Sequence, residues 1–136
     1  MNNLIAAIMT RCAGSAMSTD VSGRIYLDEA PEGSEFPYVV FRIIASGQQD
    51  TFSDALEDTL VQFSIYSVSE SAAEVTAIYA DLMTLFDWQA LTITSGTCIW
   101  VVRQGLVTMF DDITTISGTV GARHWAVEYS IMVQGS

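Results

Sequence analysis

The chain contains no lysine, one histidine, two cysteines and two prolines among its 136 residues. A single histidine excludes a metal site built on a histidine pair, and the absence of lysine excludes a phosphate-binding loop of the Walker type. The sequence also lacks the GxGxxG, HExxH and CxxC motifs and the residue spacing of a calcium loop. Its composition therefore argues against nucleotide, zinc and calcium chemistry.

A nucleophilic triad is the one catalytic arrangement that the residue types would allow. Cys98, His124 and Asp111 could supply its members, but their spacing does not support it, and such residues occur together by chance in most chains. His124 is predicted to be a strand-surface residue beside Trp125. We expect no enzyme activity, no cofactor and no metal.

The cysteines and the hydrophobic runs indicate whether to expect disulfide bonds, a signal peptide or a membrane-spanning segment. Cys12 and Cys98 fall on a predicted helix face and a predicted strand, where free cysteine behaves as a small buried hydrophobe. Small domains that are stabilised by disulfide bonds carry more cysteines than this, so we expect no disulfide framework. Residues 1–17 lack the leading positive charge of a signal peptide, and no apolar run approaches the roughly 20 residues that a bilayer demands.

Charge is strongly one-sided, with 16 acidic residues against five arginines and a formal net charge of −11. This balance lacks the basic footprint of a nucleic-acid binder. Many of the acids fall in two predicted loops: Asp28, Glu29, Glu32 and Glu35 in one, and Asp50, Asp54, Glu57 and Asp58 in the other. In the simplest interpretation the charge serves solubility alone. The few arginines are candidates for carboxylate contacts within the chain or across an interface.

Two segments show helical periodicity. Apolar residues recur at steps of three and four from Leu4 to Met17, which predicts an amphipathic helix ending near residues 14–18. The sequence Ser71-Ala72-Ala73-Glu74 fits a capping box, and helical spacing continues behind it to Asp87. The second helix would run roughly 25 Å, enough to cross a sheet face.

The remaining apolar segments predict strands. They cover residues 24–27, 37–47, 59–68, 91–94, 98–110 with a bulge or bend at Gly105, and 123–134. Strict alternation from Trp125 to Val133 indicates an antiparallel strand with one buried side. A turn at 20–23 and a loop at 28–36 separate the first segments, and the strands at 37–47 and 59–68 should form a hairpin with a long tip at 48–57.

Residues 111–122 are predicted to be a long loop. They carry Ile113, Ile116 and Val120 without an evident core to enter. Either the loop is flexible with stray apolar residues, or it becomes ordered only against a neighbouring subunit. The chain as a whole, residues 1–136, is predicted to be a single α+β domain with a mostly antiparallel sheet of about five strands and two helices packed on it.

Several short motifs together resemble one protein family. They are "Gly-Arg-Ile-Tyr" at 23–26, "Ala-Pro-Glu-Gly" at 30–33, "Phe-Pro-Tyr-Val-Val-Phe" at 36–41 and "Gln-Phe-Ser-Ile-Tyr-Ser" at 62–67. With the N-terminal helix and the helix after residue 71, this layout is similar to the tail-completion or tail-terminator proteins of long-tailed bacteriophages. Arg24, Tyr26, Pro31, Pro37 and Tyr38 are the residues of the motifs that we expect to support the fold.

The resemblance implies a structural virion protein, assembled in the host bacterial cytoplasm. It implies a ring of usually about six copies that caps the head-proximal end of the tail tube and contacts the head connector or stopper protein. DNA would pass through an acidic lumen, whose wall offers no cationic contacts to the phosphates. The expected partners are thus further copies of the chain, the tail-tube protein, the connector and DNA in transit, with no membrane.

The interface is expected in the two long loops, at Asp50, Thr51, Phe52, Asp54, Asp111, Asp112, Ile113, Ile116, Val120 and Arg123. Two alternatives within the virion remain open: another neck or head-completion protein, or a tail-tube subunit. A small acidic hydrolase or ligand-binding module would need a deep pocket lined by His124, Cys98 or paired acids. An acidic mimic of DNA would need acids that recur along helix faces, whereas here they lie mainly in loops.

Overall fold

The computed structural model describes residues 2–31, 33–48, 56–68, 72–94, 96–115 and 118–134. Within them the chain forms three helices and five strands. In chain order these are α1 (Asn2–Cys12), α2 (Ala16–Asp20), β1 (Ile25–Leu27), β2 (Tyr38–Gln48), β3 (Leu56–Ser67), α3 (Ala73–Phe86), β4 (Thr97–Thr115) and β5 (Gly118–Gln134).

The strands form a single sheet in the order β1-β2-β3-β5-β4. β1 runs parallel to β2, and the other three pairings are antiparallel. The predicted α+β class and the mostly antiparallel sheet of about five strands are therefore confirmed. The sheet is mixed because of β1, and three helices are present where two were expected.

The predicted N-terminal helix is interrupted. It ends at Cys12 and restarts at Ala16 because Gly14 takes a left-handed backbone conformation, with φ +70°. Ser15 caps the new helix by accepting a hydrogen bond from the Ser18 amide at 3.1 Å. The apolar stripe survives this break, since Cys12 and Met17 are both buried in the core.

The hairpin of β2 and β3 is confirmed, but β3 begins three residues earlier than predicted and β2 ends one residue later. They pair from Tyr38 with Tyr66 to Gln48 with Glu57, so strand pairing takes up the ends of the predicted tip. Residues 49–55 lie outside the described part of the chain. Every second residue of β3 from Val61 to Ile65 is fully buried, as the alternating pattern predicts.

Helix α3 is confirmed, although its N-terminus differs from the predicted capping box. The N-cap residue is Ala72, which has no capping side chain, and Ser71 lies outside the described residues. Glu74 instead accepts a hydrogen bond from the Ser67 hydroxyl at 2.6 Å. The glutamate therefore ties the first turn of the helix to the end of β3.

The predicted short strand at 91–94 is absent. Leu91 and Ile93 are buried, but the segment pairs with no strand. It is held by α1, because Asn3 donates to the Thr94 carbonyl and Arg11 donates to the carbonyls of Leu85 and Ala90. Its apolar residues reflect burial beneath a helix rather than sheet formation, which periodicity alone cannot distinguish in so short a run.

The hydrophobic core lies on one face of the sheet, which we call the helix face. There Phe41, Phe63 and Tyr129 pack with α3 residues such as Phe86. The strand residues between them point to the opposite face of the sheet. None of the three helices covers that face. We call this the open face. It carries the polar and exposed groups that matter for the site.

Candidate functional site

The end of the β4–β5 hairpin extends past the rest of the sheet. The last pair between β3 and β5 joins Ser67 and Arg123, whereas β4 and β5 continue through five more pairs, from Asp111 with Ala122 to Thr115 with Gly118. We call this part, residues 111–115 and 118–122, the distal hairpin. At roughly 3.4 Å per residue it reaches about 17 Å beyond β3.

The distal hairpin corrects the prediction of a loop at 111–122. Its backbone forms a regular antiparallel ladder, and Thr114, Thr119 and their β-branched neighbours favour that conformation. The sequence did not show it because residues 111–122 carry no regular alternation of apolar and polar residues. Of the predicted interface residues, Asp112, Ile113 and Val120 lie on its strands, and Ile116 lies outside the described residues.

The base of the distal hairpin is held on both faces. On the open face, Asp111 Oδ2 lies 2.7 Å from His124 Nδ1, and the imidazole stacks on the Tyr66 ring at 4.3 Å between centroids. On the helix face, the Arg123 guanidinium lies over the Phe110 ring at 5.9 Å. These contacts fix where the hairpin leaves the sheet.

Aromatic residues continue across the open face from this base. Tyr66 stacks on Tyr38 at 4.9 Å, and Tyr38 lies 6.0 Å from Tyr26 and 5.1 Å from Phe36. Burial, followed by the neighbouring Tyr66 and Tyr26 hydroxyls, raises the pKa of Tyr38 above its ordinary value. This row buries the tyrosine edges that would otherwise face solvent.

The motif residues hold the β1 edge together. Arg24 donates to the carbonyls of Pro37 and Phe36 at 3.0 and 3.2 Å, and it lies 3.7 Å from Glu35. Pro37 follows a cis peptide bond and precedes β2, and Pro31 lies in the loop that joins the two strands. The arginine is thus used inside its own chain.

A shallow recess of about 450 Å³ lies on the open face, lined by residues of β2, β3, β4 and β5. Ala45 and Gly47, which have little or no side chain, line one part of the recess. Asp58 and Glu128 line it as well. Ser130 donates to Asp58 at 2.6 Å. Glu128 makes no hydrogen bond or ion pair with the described residues, so one carboxylate of the recess is available.

Strand β4 carries an apolar and exposed outer surface. Five of the ten large apolar side chains that are exposed in the described residues belong to it: Ile99, Trp100, Val107, Met109 and Phe110. The sequence analysis missed these residues and the Glu128 recess. The signal was present, since residues 105–111 have no lysine and no proline and their only charge is at the end.

Among the described residues, Cys98, His124 and Asp111 do not come together as a triad. His124 and Asp111 are in contact, but Cys98 pairs with Val133, nine positions along β5 from His124, or about 30 Å. Burial raises the pKa of the Cys98 thiol and raises that of Cys12 to about 12, which keeps both protonated and unreactive. Both cysteines are free and buried, as predicted.

The described residues include no group of three or more histidine, cysteine or acidic side chains that could hold a metal ion. Within the same part of the chain, no helix has the length and apolarity needed to cross a membrane. The predicted interface residues Asp50, Thr51, Phe52 and Asp54 lie outside it. The site is therefore a set of surfaces: the distal hairpin, the β4 edge and the acidic recess.

Comparison with known proteins agrees with this architecture. Among solved structures, a chain of the virion of a native gene transfer agent particle superposes with a TM-score of 0.72 at 16% sequence identity, covering 98% of this chain and 96% of that one. At that identity the likeness establishes the fold alone. No curated protein matches the chain. The profile of one family, described as tail completion protein gp17, matches residues 3–134. The chain belongs to the tail completion protein gp17 family.

Proposed function

We propose that the protein is a structural component of a phage-like tail that assembles as a ring, usually of about six copies, at the head-proximal end of the tail tube. The ring ends tube growth and joins the tube to the head connector, and DNA passes through its lumen. The observation that carries this proposal is the match of the tail completion family to residues 3–134, nearly the whole chain. The shared fold with a chain of a gene transfer agent virion supports it.

The absence of a catalytic constellation in the described residues agrees with a structural role. Cys98 lies far from His124, and the recess at Glu128 is open and shallow rather than a deep pocket with convergent reactive groups. Such a role needs surfaces for assembly, and the exposed β4 strand and the distal hairpin provide them.

The charge of the chain supports an acidic lumen. With a formal net charge of −11, a ring of about six copies surrounds passing DNA with carboxylates. Binding to DNA is driven largely by cations that displace counterions from phosphates, and a wall without them does not retain the genome. We propose that subunit and tube contacts form at the distal hairpin, with Asp111, Asp112, Ile113 and Val120, at Arg123 at its base, and at the residues around Asp50 and Phe52.

The role of the distal hairpin can be tested by shortening it, because β3 does not pair with that segment. Replacing residues 113–120 by an Asn-Gly turn joins Asp112 to Gly121, which already pair, and preserves every pairing between β3 and β5. This shortened chain should remain a folded monomer. We expect it to lose ring formation and tube capping.

Native mass spectrometry and negative-stain imaging test the proposal on the purified full chain, alone and mixed with purified tail tubes. The expected result is a closed ring that binds one end of each tube. A strict monomer that joins neither tubes nor connectors overturns it. Co-purification with the portal and connector but not with tubes points instead to a head-completion protein, and growth of long tubes from this chain alone points to a tube subunit.

A further inference from the structure

The outer edge of β4 is a long strand edge without the usual protection. β4 is last in the sheet order, so its backbone donors and acceptors on that side pair with no described strand. Proteins commonly protect such edges with lysine, proline or inward-pointing charge. Between Gly105 and Phe110 there is none of these, and Val107 and Phe110 are 58% and 66% exposed.

The part of this edge that can accept a strand is regular. β4 has register shifts between Cys98 and Trp100 and between Arg103 and Gly105, and from Gly105 onward it pairs with β5 without interruption. Residues 105–111 therefore present about seven residues of flat edge, a normal strand length. Val107 and Met109 project on the open face beside it.

Gly105 leaves a gap that leads from this edge to Glu128. The two residues are direct partners in the β4–β5 ladder, and a Cβ built at Gly105 meets nothing within 4 Å. Strands are spaced about 4.8 Å apart, so a strand added outside β4 lies about 10 Å from β5. A lysine or arginine side chain can cross that distance over Gly105 and meet the Glu128 carboxylate, which no described group engages.

We propose that the edge of β4 at residues 105–111 binds an extended basic segment of another protein as an added β-strand, with one of its cationic side chains lying over Gly105 against Glu128. Main-chain hydrogen bonds to β4 provide affinity, and Val107, Met109 and Glu128 select the side chains of the segment. The inference goes beyond the proposed function, and its test requires neither ring nor tube.

A second copy of this chain offers few cationic side chains to this edge. The chain has no lysine, and the described contacts engage Arg11, Arg24 and Arg103 within their own chain. Arg123 lies on β5, which has a strand on both sides and cannot be added to another edge. Arg42 lies on β2 just beyond the segment that pairs with β1, and the self-association measurement below decides whether a second copy presents it. A basic segment is also attracted to this acidic surface by the net charge of −11.

Synthetic peptides of about nine residues test the proposal on the purified full chain. One peptide alternates valine or threonine with lysine, a second has glutamate in place of lysine, and a third is the lysine peptide with alternate backbone amides methylated. Isothermal titration calorimetry measures their dissociation constants. The lysine peptide should bind, and the other two should bind at least about tenfold more weakly, equivalent to the loss of one charge-assisted contact or of the ladder.

Variants of the protein locate the binding. Glu128→Gln should weaken the lysine peptide about tenfold, and Gly105→Val should weaken it similarly by filling the gap. Glu29→Gln, which makes the same change of charge in the loop next to β1, should leave binding unchanged. Circular dichroism and thermal melting show whether each variant is folded. If Gly105→Val does not fold, Glu128→Gln still tests the proposal.

Four results overturn the inference. They are no binding of the lysine peptide at millimolar concentration, equal binding of the methylated or glutamate peptide, an equal loss in Glu29→Gln, and self-association of the chain that Val107→Lys abolishes. The last result, measured by sedimentation velocity, would assign the edge to a second copy. Ring formation in native mass spectrometry is scored separately, so a failure of either proposal can be distinguished.

Discussion

Tyr129 shows how a single buried polar group is accommodated in this core. Its ring is fully buried among Phe63 and Phe86, and its hydroxyl donates to Asp87 at 2.6 Å. Asp87 also lies 3.5 Å from Arg103, so the carboxylate just after α3 links the helix to β4 and β5. Burial, with the bond to Asp87, raises the pKa of Tyr129 far above its ordinary value.

Tyr129→Phe should lower the free energy of unfolding by about 1.5 kcal/mol, because it removes a hydrogen bond to a charged acceptor without leaving a cavity. Asp87 keeps Arg103 as a partner, which limits the loss. Urea denaturation measures the change. Tyr26→Phe at the half-buried β1 edge is the matched control, and an equal effect of both substitutions would show that the Asp87 bond contributes nothing.

A pair of carboxyls makes stability depend on pH. Desolvation where α2 meets α3, followed by the hydrogen bond and charge of Asp81, raises the pKa of Asp20 to about 6. A carboxyl whose pKa is raised on folding favours the folded state when protonated. Its contribution is fully present below the unfolded pKa near 4 and is lost as the pH rises through about 6.

Asp20→Asn should therefore raise the melting temperature at pH 8, where it removes repulsion from Asp81, and the gain should disappear at pH 4. The group is largely exposed, so we expect a small shift of a few degrees or less. Thermal melts of both proteins across this range measure it. Asp28→Asn is the control, and a gain that is independent of pH would contradict the assignment.

At the scale of elements, the glycines of the β4–β5 hairpin decide how far it extends. Gly118 begins β5 with φ +127°, a conformation that side chains with a Cβ rarely adopt, and it closes the ladder opposite Thr115. Gly121 lies next to Phe110, and a Cβ there would come 2.6 Å from the ring. The distal hairpin thus depends on backbone freedom at its end and on space at its base.

Gly118→Ala should destabilise the distal hairpin by about 1–2 kcal/mol while leaving the rest of the sheet intact, because β3 does not pair with that segment. Hydrogen exchange should become faster at 111–115 and 119–122, with little change in β3 or α3. Gly47→Ala is the control, since it has open space and no positive φ. Slower exchange in the variant, or faster exchange throughout the protein, would refute this.

The elements that could be predicted from the sequence are those with one buried face. Alternation in β3 and β5 and the helical spacing of α3 follow directly from burial, and the structure confirms all three. Residues 111–122 show no such alternation in the sequence, and the parallel pairing of β1 depends on a contact distant in sequence. The break at Gly14 depends on a left-handed backbone conformation, which hydrophobic periodicity does not encode.

The candidate surfaces were only partly predictable for the same reason. The sequence drew attention to Ile113, Ile116 and Val120 as apolar residues without a core to enter, but it assigned them to a loop. The recess at Glu128 required the register of four strands to be known, because its lining residues are far apart in sequence. Gly105 was predicted to be a bulge, and only the pairing with Glu128 shows what the missing side chain leaves open.

For the molecule as a whole, net charge should govern assembly. Each copy carries −11, so association of copies is opposed by long-range repulsion that salt screens over about 10 Å at 0.1 M. We expect the ring fraction to rise between about 0.05 M and 0.5 M sodium chloride, measured by sedimentation velocity. Binding of the lysine peptide should weaken over the same range. A ring that dissociates as salt increases would show that ion pairs dominate the subunit contacts.

The position of β5 sets the order in which the molecule can form. β5 lies between β3 and β4, yet of all the described elements it is the last to leave the ribosome. Until then β4 has no neighbour, and the β1–β2–β3 half of the sheet keeps one side open. Closure of the sheet therefore waits for β5, and a nascent chain cannot present a completed β4 edge to a partner before that strand has been inserted.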